Sequence, residues 1–382
     1  MESLVGDPKE STIPGNVLFG NGLVIQFGGE RYTNGGIINR ALSNVRSGNF
    51  PRHLYPAECA DFVRVLHREH RSVLNGVYDR FALASFEKAA LEDFKTRYDA
   101  LRRYSIGEIG FEDYFLLFEL VYTKLRKTNP ETFHVRGVLR RMFLDAVFDG
   151  GAIQLIHERF PTGFSEWLSE WDQVLTTNYD SNLDSAGAAG ALHLHGSFDD
   201  VSDVYDPSSL RNQLSEDLLD GEEVDWSYPH LYSTCLLSYV SEMKSFSMTM
   251  ASQANRGMEK LAAAYMDDPT TRARIDAFEG DDPLLRRMRE AIKLKCADPD
   301  LQHAEQYPVE RFREIAGDLT IIGLSPMNDN HLFREVVENP GISDITYFFY
   351  DEAEIPEVAR RLEGKDVTFL DVRALWAELA AS

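Results

Sequence analysis

Four short stretches of this 382-residue sequence combine polar side chains with glycine in a way that suits ligand chemistry. They are Gly20-Asn21-Gly22, Thr176-Thr177-Asn178-Tyr179-Asp180, His195-Gly196-Ser197, and Gly323-Leu324-Ser325 followed by Asp329 and His331. A carboxamide such as Asn178 donates and accepts hydrogen bonds at once, and an imidazole such as His195 ordinarily exchanges a proton near pH ~6.5. Glycine lets backbone approach a ligand closely. Singly, each stretch has a plainer reading. Gly-x-Gly is also a tight turn, and here it lacks the third glycine and the downstream acidic residue of a dinucleotide fingerprint. A strand-end histidine is commonly structural, and an Asn after Thr-Thr is commonly a helix cap. The conjunction is more informative, because all four stretches follow predicted strands. Ligands of open parallel sheets bind at the carboxyl ends of strands, beside helix N-termini.

His193 shares a strand face with His195, so His-Leu-His beside Asp199, Asp200 and Asp203 also suggests a metal pair. Metal-dependent hydrolases need further ligands at later strand ends, and only Asp329 and His331 qualify. The expectation is that no metal is used.

The loops need a sheet to bring them together. Asn16–Phe27 is an apolar run broken by Gly-x-Gly, which reads as a strand, a tight turn and a helix. Phe111–Arg126 and Val135–Ile156 carry apolar residues at three- and four-residue intervals and read as amphipathic helices. Gln173–Asn178 and Gly190–His195 are short β-prone runs. After about Asp206 the chain is again mainly helical, with acidic loops at Asp220–Asp225 and Gly280–Asp282. The end alternates: strand Leu319–Leu324, helix Asp329–Glu338, strand Ile345–Tyr350, helix Ile355–Leu362, strand Val367–Leu370 and helix Val372–Ala380. Such alternation means βαβ units and a parallel sheet. The expected fold is α/β, a doubly wound, Rossmann-like and mostly parallel sheet with two large helical insertions. Core segments would be 1–56, 172–205 and 318–382, and the insertions 57–171 and 206–317.

Composition narrows the function. The 39 basic and 62 acidic side chains give a net charge of −23, which argues against direct nucleic-acid binding and against anionic membrane surfaces. No apolar run approaches the ~20 residues of a membrane span, and the opening Met1–Gly15 has no signal-peptide pattern, so a cytoplasmic location is expected. Cys59, Cys235 and Cys296 form no CxxC pair, which removes a four-cysteine zinc ribbon and makes a disulfide framework unexpected.

Thr177-Asn178-Tyr179-Asp180, then Leu194-His195-Gly196-Ser197, then Gly323-x-Ser325 with Asp329-x-His331, resembles the sirtuin-like NAD-hydrolysing domains of bacterial antiphage defence proteins. Gly20-Asn21-Gly22 is similar to their first glycine loop. The resemblance covers three separated segments and leaves both insertions aside. It implies NAD as substrate, split into nicotinamide and ADP-ribose, with Asn178 and His195 acting at the ribose or on water. It implies that Asp180 binds the nicotinamide carboxamide and that Thr177, Gly196 and Ser197 line the same site. The Gly20–Gly22 amides would meet the pyrophosphate, and Gly323, Ser325, Asp329 and His331 the adenosine half. Related effectors self-assemble or pair with a second protein such as a HerA-type translocase, so a homo-oligomer or such a partner is expected. Three alternatives stay open: a catalytically idle nucleotide-binding subunit of a defence complex, a sirtuin-type deacylase, and a metal-dependent hydrolase.

Overall fold

Val17, Leu18 and Phe19 are all fully buried, as a central parallel strand requires when helices cover both faces of its sheet. The computed structural model describes residues 15–48, 50, 52–127, 131–201, 225–278, 283–303 and 305–382. The residues before Gly15, Asp203, most of the acidic stretch from Asp220 and the Gly280–Asp282 loop lie outside them.

Six strands form one all-parallel sheet: β1 (Asn16–Phe19), β2 (Gln173–Thr176), β3 (Leu192–His193), β4 (Gly317–Ile322), β5 (Ile342–Phe349) and β6 (Asp366–Asp371). Their order is β3-β2-β1-β4-β5-β6. This is the doubly wound order, and its switch point lies between β1 and β4, where successive crossovers leave in opposite directions and a crevice opens at the carboxyl edge.

Helices follow the strands. They are α1 (Gly22–Gly28), α2 (Asn34–Ser47), α3 (Cys59–Leu74), α4 (Ser85–Arg97), α5 (Asp113–Lys124), α6 (Glu131–Phe148), α7 (Phe164–Ser169) and α8 (Asn182–Ser185). The described remainder contributes α9 (Glu242–Asp267), α10 (Pro269–Asp276), α11 (Pro283–Ala297), α12 (Val309–Arg313), α13 (Asn330–Glu338), α14 (Ile355–Arg361) and α15 (Val372–Ala381).

The period-2 alternation of β1 divides the sheet's two cores. Leu18 packs with Leu319, Ile321, Leu332, Phe333 and Tyr347 on one face. Val17 and Phe19 pack with Phe164, Leu168, Val372 and Leu379 on the other. The largest core belongs to α2–α6 and includes Leu231, Leu237, Val240 and Met243, so residues 231–243 of the second insertion pack into the first. Helices α9, α10 and α11 share a small core of their own, Met258, Ile275, Ala291 and Ile292.

Two expected elements differ. Val135–Ile156 is not one helix: α6 ends where Asp149, Gly150 and Gly151 take φ of 55°, 62° and 90°, and 3-10 turns continue to Arg159. Those left-handed dihedrals cannot continue a right-handed helix, and apolar periodicity does not register them. Of Gly190–His195, only Leu192 and His193 lie in the sheet, extended by a hydrogen bond from Leu194 N–H to the Thr176 carbonyl (2.8 Å).

Candidate active site

A cavity of about 780 Å³ opens at the carboxyl edge of the sheet, over the switch point. That volume lies within the ~300–1,000 Å³ of small-molecule sites. Its floor comes from the loops after β1, β2, β3, β4 and β5, represented by Gly22, Asn178, His195, Gly323 and Tyr350. Its remaining wall comes from α1 and α2, through Ile25 and Ile37, and from the insertions: Arg97 at the end of α4, Glu112 and Asp113 at the start of α5, and Lys244 in the first turn of α9.

Asn178, Asp180 and His195 all line this one cavity. Asn178 follows β2, with its backbone N–H held by Thr176 Oγ1 at 3.0 Å. Its side chain is 5% exposed, and neither Oδ1 nor Nδ2 has a partner among the described residues. Unpaired buried polar atoms cost roughly 1–3 kcal/mol each, so a carboxamide kept this way is arranged for something else to bind. Asp180 is also buried. Its Oδ1 accepts from the Asn182 backbone N–H (3.2 Å) and side-chain amide, whereas Oδ2 is unpartnered. Burial pushes its carboxyl up to about 6, with the Asn182 hydrogen bonds pulling the other way.

His195 is 1% exposed, and its Nε2 lies 3.0 Å from Nε2 of His331. Burial, then the Lys244 ammonium, then His331 hold its proton affinity well below the ordinary imidazole range. The ring is therefore neutral at physiological pH, and the proton exchange near pH ~6.5 expected from the residue type does not apply.

The glycine loops serve the backbone more than a phosphate. Gly20 N–H donates to the Ile322 carbonyl (2.8 Å) and Gly22 N–H to the Gly323 carbonyl (2.9 Å). Of the three amides expected at the pyrophosphate, those of Gly20 and Gly22 are thereby committed, and Asn21, between them, lines the cavity. A Cβ on Gly20 would lie 2.4 Å from Gly323 O, and Gly323 itself has φ +69°. These glycines let the β1–α1 and β4–α13 loops touch, which closes the crevice floor. Asn21, Gly22, Thr177, Gly323, Ser325 and Asp329 line the cavity, whereas Gly20, Gly196, Ser197 and His331 do not. Gly196 has φ +82° and would clash with the Thr234 backbone if it carried a side chain. Ser197 N–H donates to Thr234 Oγ1 (3.0 Å), so this pair anchors the second insertion to β3. Thr177 N–H donates to the Phe19 carbonyl (2.9 Å). Asp329 accepts from Ser325 N–H (3.1 Å), and Ser325 Oγ accepts from Asn328 N–H (3.2 Å), which tightens the β4–α13 loop.

His193 has a different task from the metal-ligand one considered above. Its Nδ1 lies 3.0 Å from the Asn178 carbonyl oxygen and its Nε2 3.0 Å from Asp184 Oδ2. Both partners only accept, so both bonds form together only when the ring is protonated. Burial alone would lower its proton affinity, but these bonds to Asp184 and Asn178 outweigh that and raise it. His193 thus clamps the loop that carries Asn178. Among the described residues, no group of three or more His, Cys, Asp and Glu side chains is arranged to hold a metal ion.

The insertions add charged groups that sequence reading missed. Lys244 Nζ pairs with Glu112 Oε1 at 2.7 Å, and Tyr179 OH donates to the same oxygen at 3.2 Å. Burial raises the Glu112 carboxyl, with Lys244 opposing. Arg97 grips Asp113 through two bonds of 2.8 and 2.6 Å. Lys244 sits in a helix first turn beside Met243 and Met248, where a lone lysine looks like an ordinary surface position. Glu112 and Asp113 look like routine acidic residues at a helix start. The cavity lining holds seven carboxylates, Glu112, Asp113, Asp180, Asp329, Asp351, Glu354 and Glu357, against two cations, Arg97 and Lys244. Such a site favours ligands with positive charge near the carboxylates.

No family model matches this chain, and neither does any curated protein or solved structure among those compared with it.

Proposed function

We propose that this chain is an NAD glycohydrolase, releasing nicotinamide and ADP-ribose at the carboxyl edge of its sheet. The observation that carries the reading is Asn178: a buried carboxamide with both polar atoms unpaired, sharing a cavity with Asp180 and His195. Two further features support it. The lining runs from the end of β3 to the end of β5, four strand spacings at ~4.8 Å, or about 19 Å. That length suits a dinucleotide better than a single nucleoside. The excess of carboxylates suits a substrate whose ring is cationic and whose ribose gains oxocarbenium character as the bond breaks.

In this reading the C1′–N bond breaks with its electron pair leaving on the nicotinamide nitrogen, which departs neutral. Water then bonds to C1′ and gives up one proton. Asn178 holds a ribose hydroxyl or orients the water, because it donates and accepts in one plane. Asp180, ionised above about pH 6, accepts from the carboxamide N–H of the nicotinamide. His195, neutral, hydrogen-bonds a ribose oxygen or the water. With the Gly20 and Gly22 amides committed, Lys244 is the buried cation nearest in character to what a pyrophosphate needs, and it would exchange Glu112 for it. Service as a defence effector, switched on by self-assembly or by a partner such as a HerA-type translocase, rests on the motif resemblance and on the insertions that wall the site.

The test is nicotinamide release from NAD by the full chain, in the presence of a chelator, across a range of protein concentrations and with and without an acetylated peptide. Release without peptide, abolished in Asn178→Ala and His195→Ala, is the expected outcome. Release only with peptide would instead make the chain a deacylase, and activity retained by Asn178→Ala would overturn the site. Binding of NAD without turnover under every condition would leave the idle-subunit alternative standing.

A further inference from the structure

The geometry points to His331 as a positioning residue that locks His195 in one tautomer and so decides what His195 offers to a ligand. This rests on the site proposed above, but its primary test does not depend on catalysis.

His331 lies in α13, 1% exposed and outside the cavity lining, with Nε2 3.0 Å from Nε2 of His195 and the two rings stacked at 21° between planes. Its other nitrogen, Nδ1, is buried without a partner among the described residues. Two neutral imidazoles that meet nitrogen to nitrogen must share one proton: one Nε2 donates and the other accepts. The tautomer of one ring then dictates that of the other. If His195 donates, its Nδ1 is a bare acceptor and His331 buries an orphan Nδ1–H. If His331 donates, His195 Nδ1 carries a proton and His331 buries an orphan lone pair.

The surroundings choose between them. Lys244 from α9 and Arg334 from α13 both act on His331 with positive charge. Lys244 is paired with Glu112 and Arg334 with Glu242, and Asp329 stands at the N-cap position of α13. Positive charge favours a buried orphan lone pair over a buried orphan N–H dipole, and among backbone groups too an orphaned buried N–H is rarer than an orphaned C=O. The structure therefore assigns the proton to His331 Nε2, and His195 presents Nδ1–H as a donor. A donor at this place holds a ribose or water oxygen rather than abstracting a proton. A dissociative cleavage, in which the leaving group departs before water attacks, requires no strong base.

The experiment is a long-range 1H–15N spectrum of the histidine-labelled full chain without ligand, assigned with His195→Gln and His331→Gln variants. The expected result is one neutral Nδ1–H tautomer for His195 and the Nε2–H tautomer for His331. In His331→Leu, the His195 signal should move to the average of two exchanging tautomers. His331→Gln, whose amide reaches the same place as Nε2, should retain a single one. A His195 signature unchanged in His331→Leu, or a bare Nδ1 in the native chain, overturns the assignment. If His331→Leu does not fold, the native and His331→Gln spectra still decide it. In the glycohydrolase assay, His331→Leu should lose kcat roughly 10–100-fold, the range for partners that orient a functional histidine, with KM little changed and with rescue by His331→Gln. A native chain with the assigned tautomers but no turnover under any of the conditions of the release assay would count against the glycohydrolase reading and leave the tautomer lock in place.

Discussion

Replacing Asn178 with Leu separates ligand recognition from fold stability. In the free protein the carboxamide is 5% exposed and both its polar atoms lack partners. Each such atom costs roughly 1–3 kcal/mol when buried unpaired, and an apolar group of the same shape removes that cost without breaking any hydrogen bond. Leucine is close to isosteric with asparagine, so neither a cavity nor overpacking follows. The backbone N–H still reaches Thr176 Oγ1, and the backbone carbonyl still accepts from His193. Water in the cavity recovers part of the cost, so we expect Asn178→Leu to be as stable as the native chain or more stable by up to about 2 kcal/mol. In domains of 150–250 residues, 1 kcal/mol moves Tm by about 2–4 °C, and a longer chain moves somewhat less. Nicotinamide release should fall at least about 100-fold, the scale for removing one positioned polar group that acts on developing charge. NAD should also raise the Tm of the native chain but not of the variant. Thermal denaturation with and without NAD, beside the release assay, reads all three quantities. A variant destabilised by more than about 1 kcal/mol would show that the carboxamide already serves the free fold, and the reasoning would fail.

Three other expectations follow from the same geometry. Asp180, raised to about 6, must be ionised to accept from a carboxamide, so kcat/KM should rise with pH through about 6, falling roughly tenfold per unit below it; His195, neutral throughout, adds no limb there. Asp180→Asn should flatten that profile, and an unchanged limb in the variant would assign it to another group. His193→Gln should destabilise the chain by about 1–3 kcal/mol at pH 5.5, where the doubly bonded imidazolium is intact. Because the folded ring binds its proton more tightly than the unfolded ~6.5, its contribution is full below that value and is lost as pH rises through the folded value. Urea unfolding at pH 8.5 should therefore show a smaller gap, and an equal one would refute the clamp. Lys244→Met should cost about 3–5 kcal/mol by leaving Glu112 buried without its cation, and adding Glu112→Leu should restore most of it; a double variant no better than the single would mean the pair is not coupled.

Much of the fold was legible because it follows from short-range patterning. The C-terminal alternation of six elements from Leu319 onward appears where expected, within a few residues. Short β-branched and aromatic runs alternating with ten-residue helical patterns mark the strands of βαβ units. The break after Phe148 was not legible, because it depends on left-handed dihedrals at Asp149, Gly150 and Gly151 rather than on apolar spacing. Asn178, Asp180 and His195 were legible as candidates because strand ends of a parallel sheet share one edge. The tasks of their neighbours were not. His193, weighed as a metal ligand and set aside, had no task in the sequence and is a clamp, and Gly20 looked like a phosphate cradle and is a close contact between loops.

Short-range patterning suffices for a doubly wound sheet, for the place of its carboxyl edge, and for Asn178, Asp180 and His195 standing there. Those are properties of local periodicity and of strand order along one chain. The electrostatics come from contacts between distant parts of the chain. Lys244 and Glu112 meet across 132 positions and His195 and His331 across 136. The loss of water around them, which holds His195 neutral and raises Asp180, arises from the insertions closing over the sheet. Proton affinity depends on burial and on charges a few ångströms away, and neither is a property of neighbouring letters in the chain.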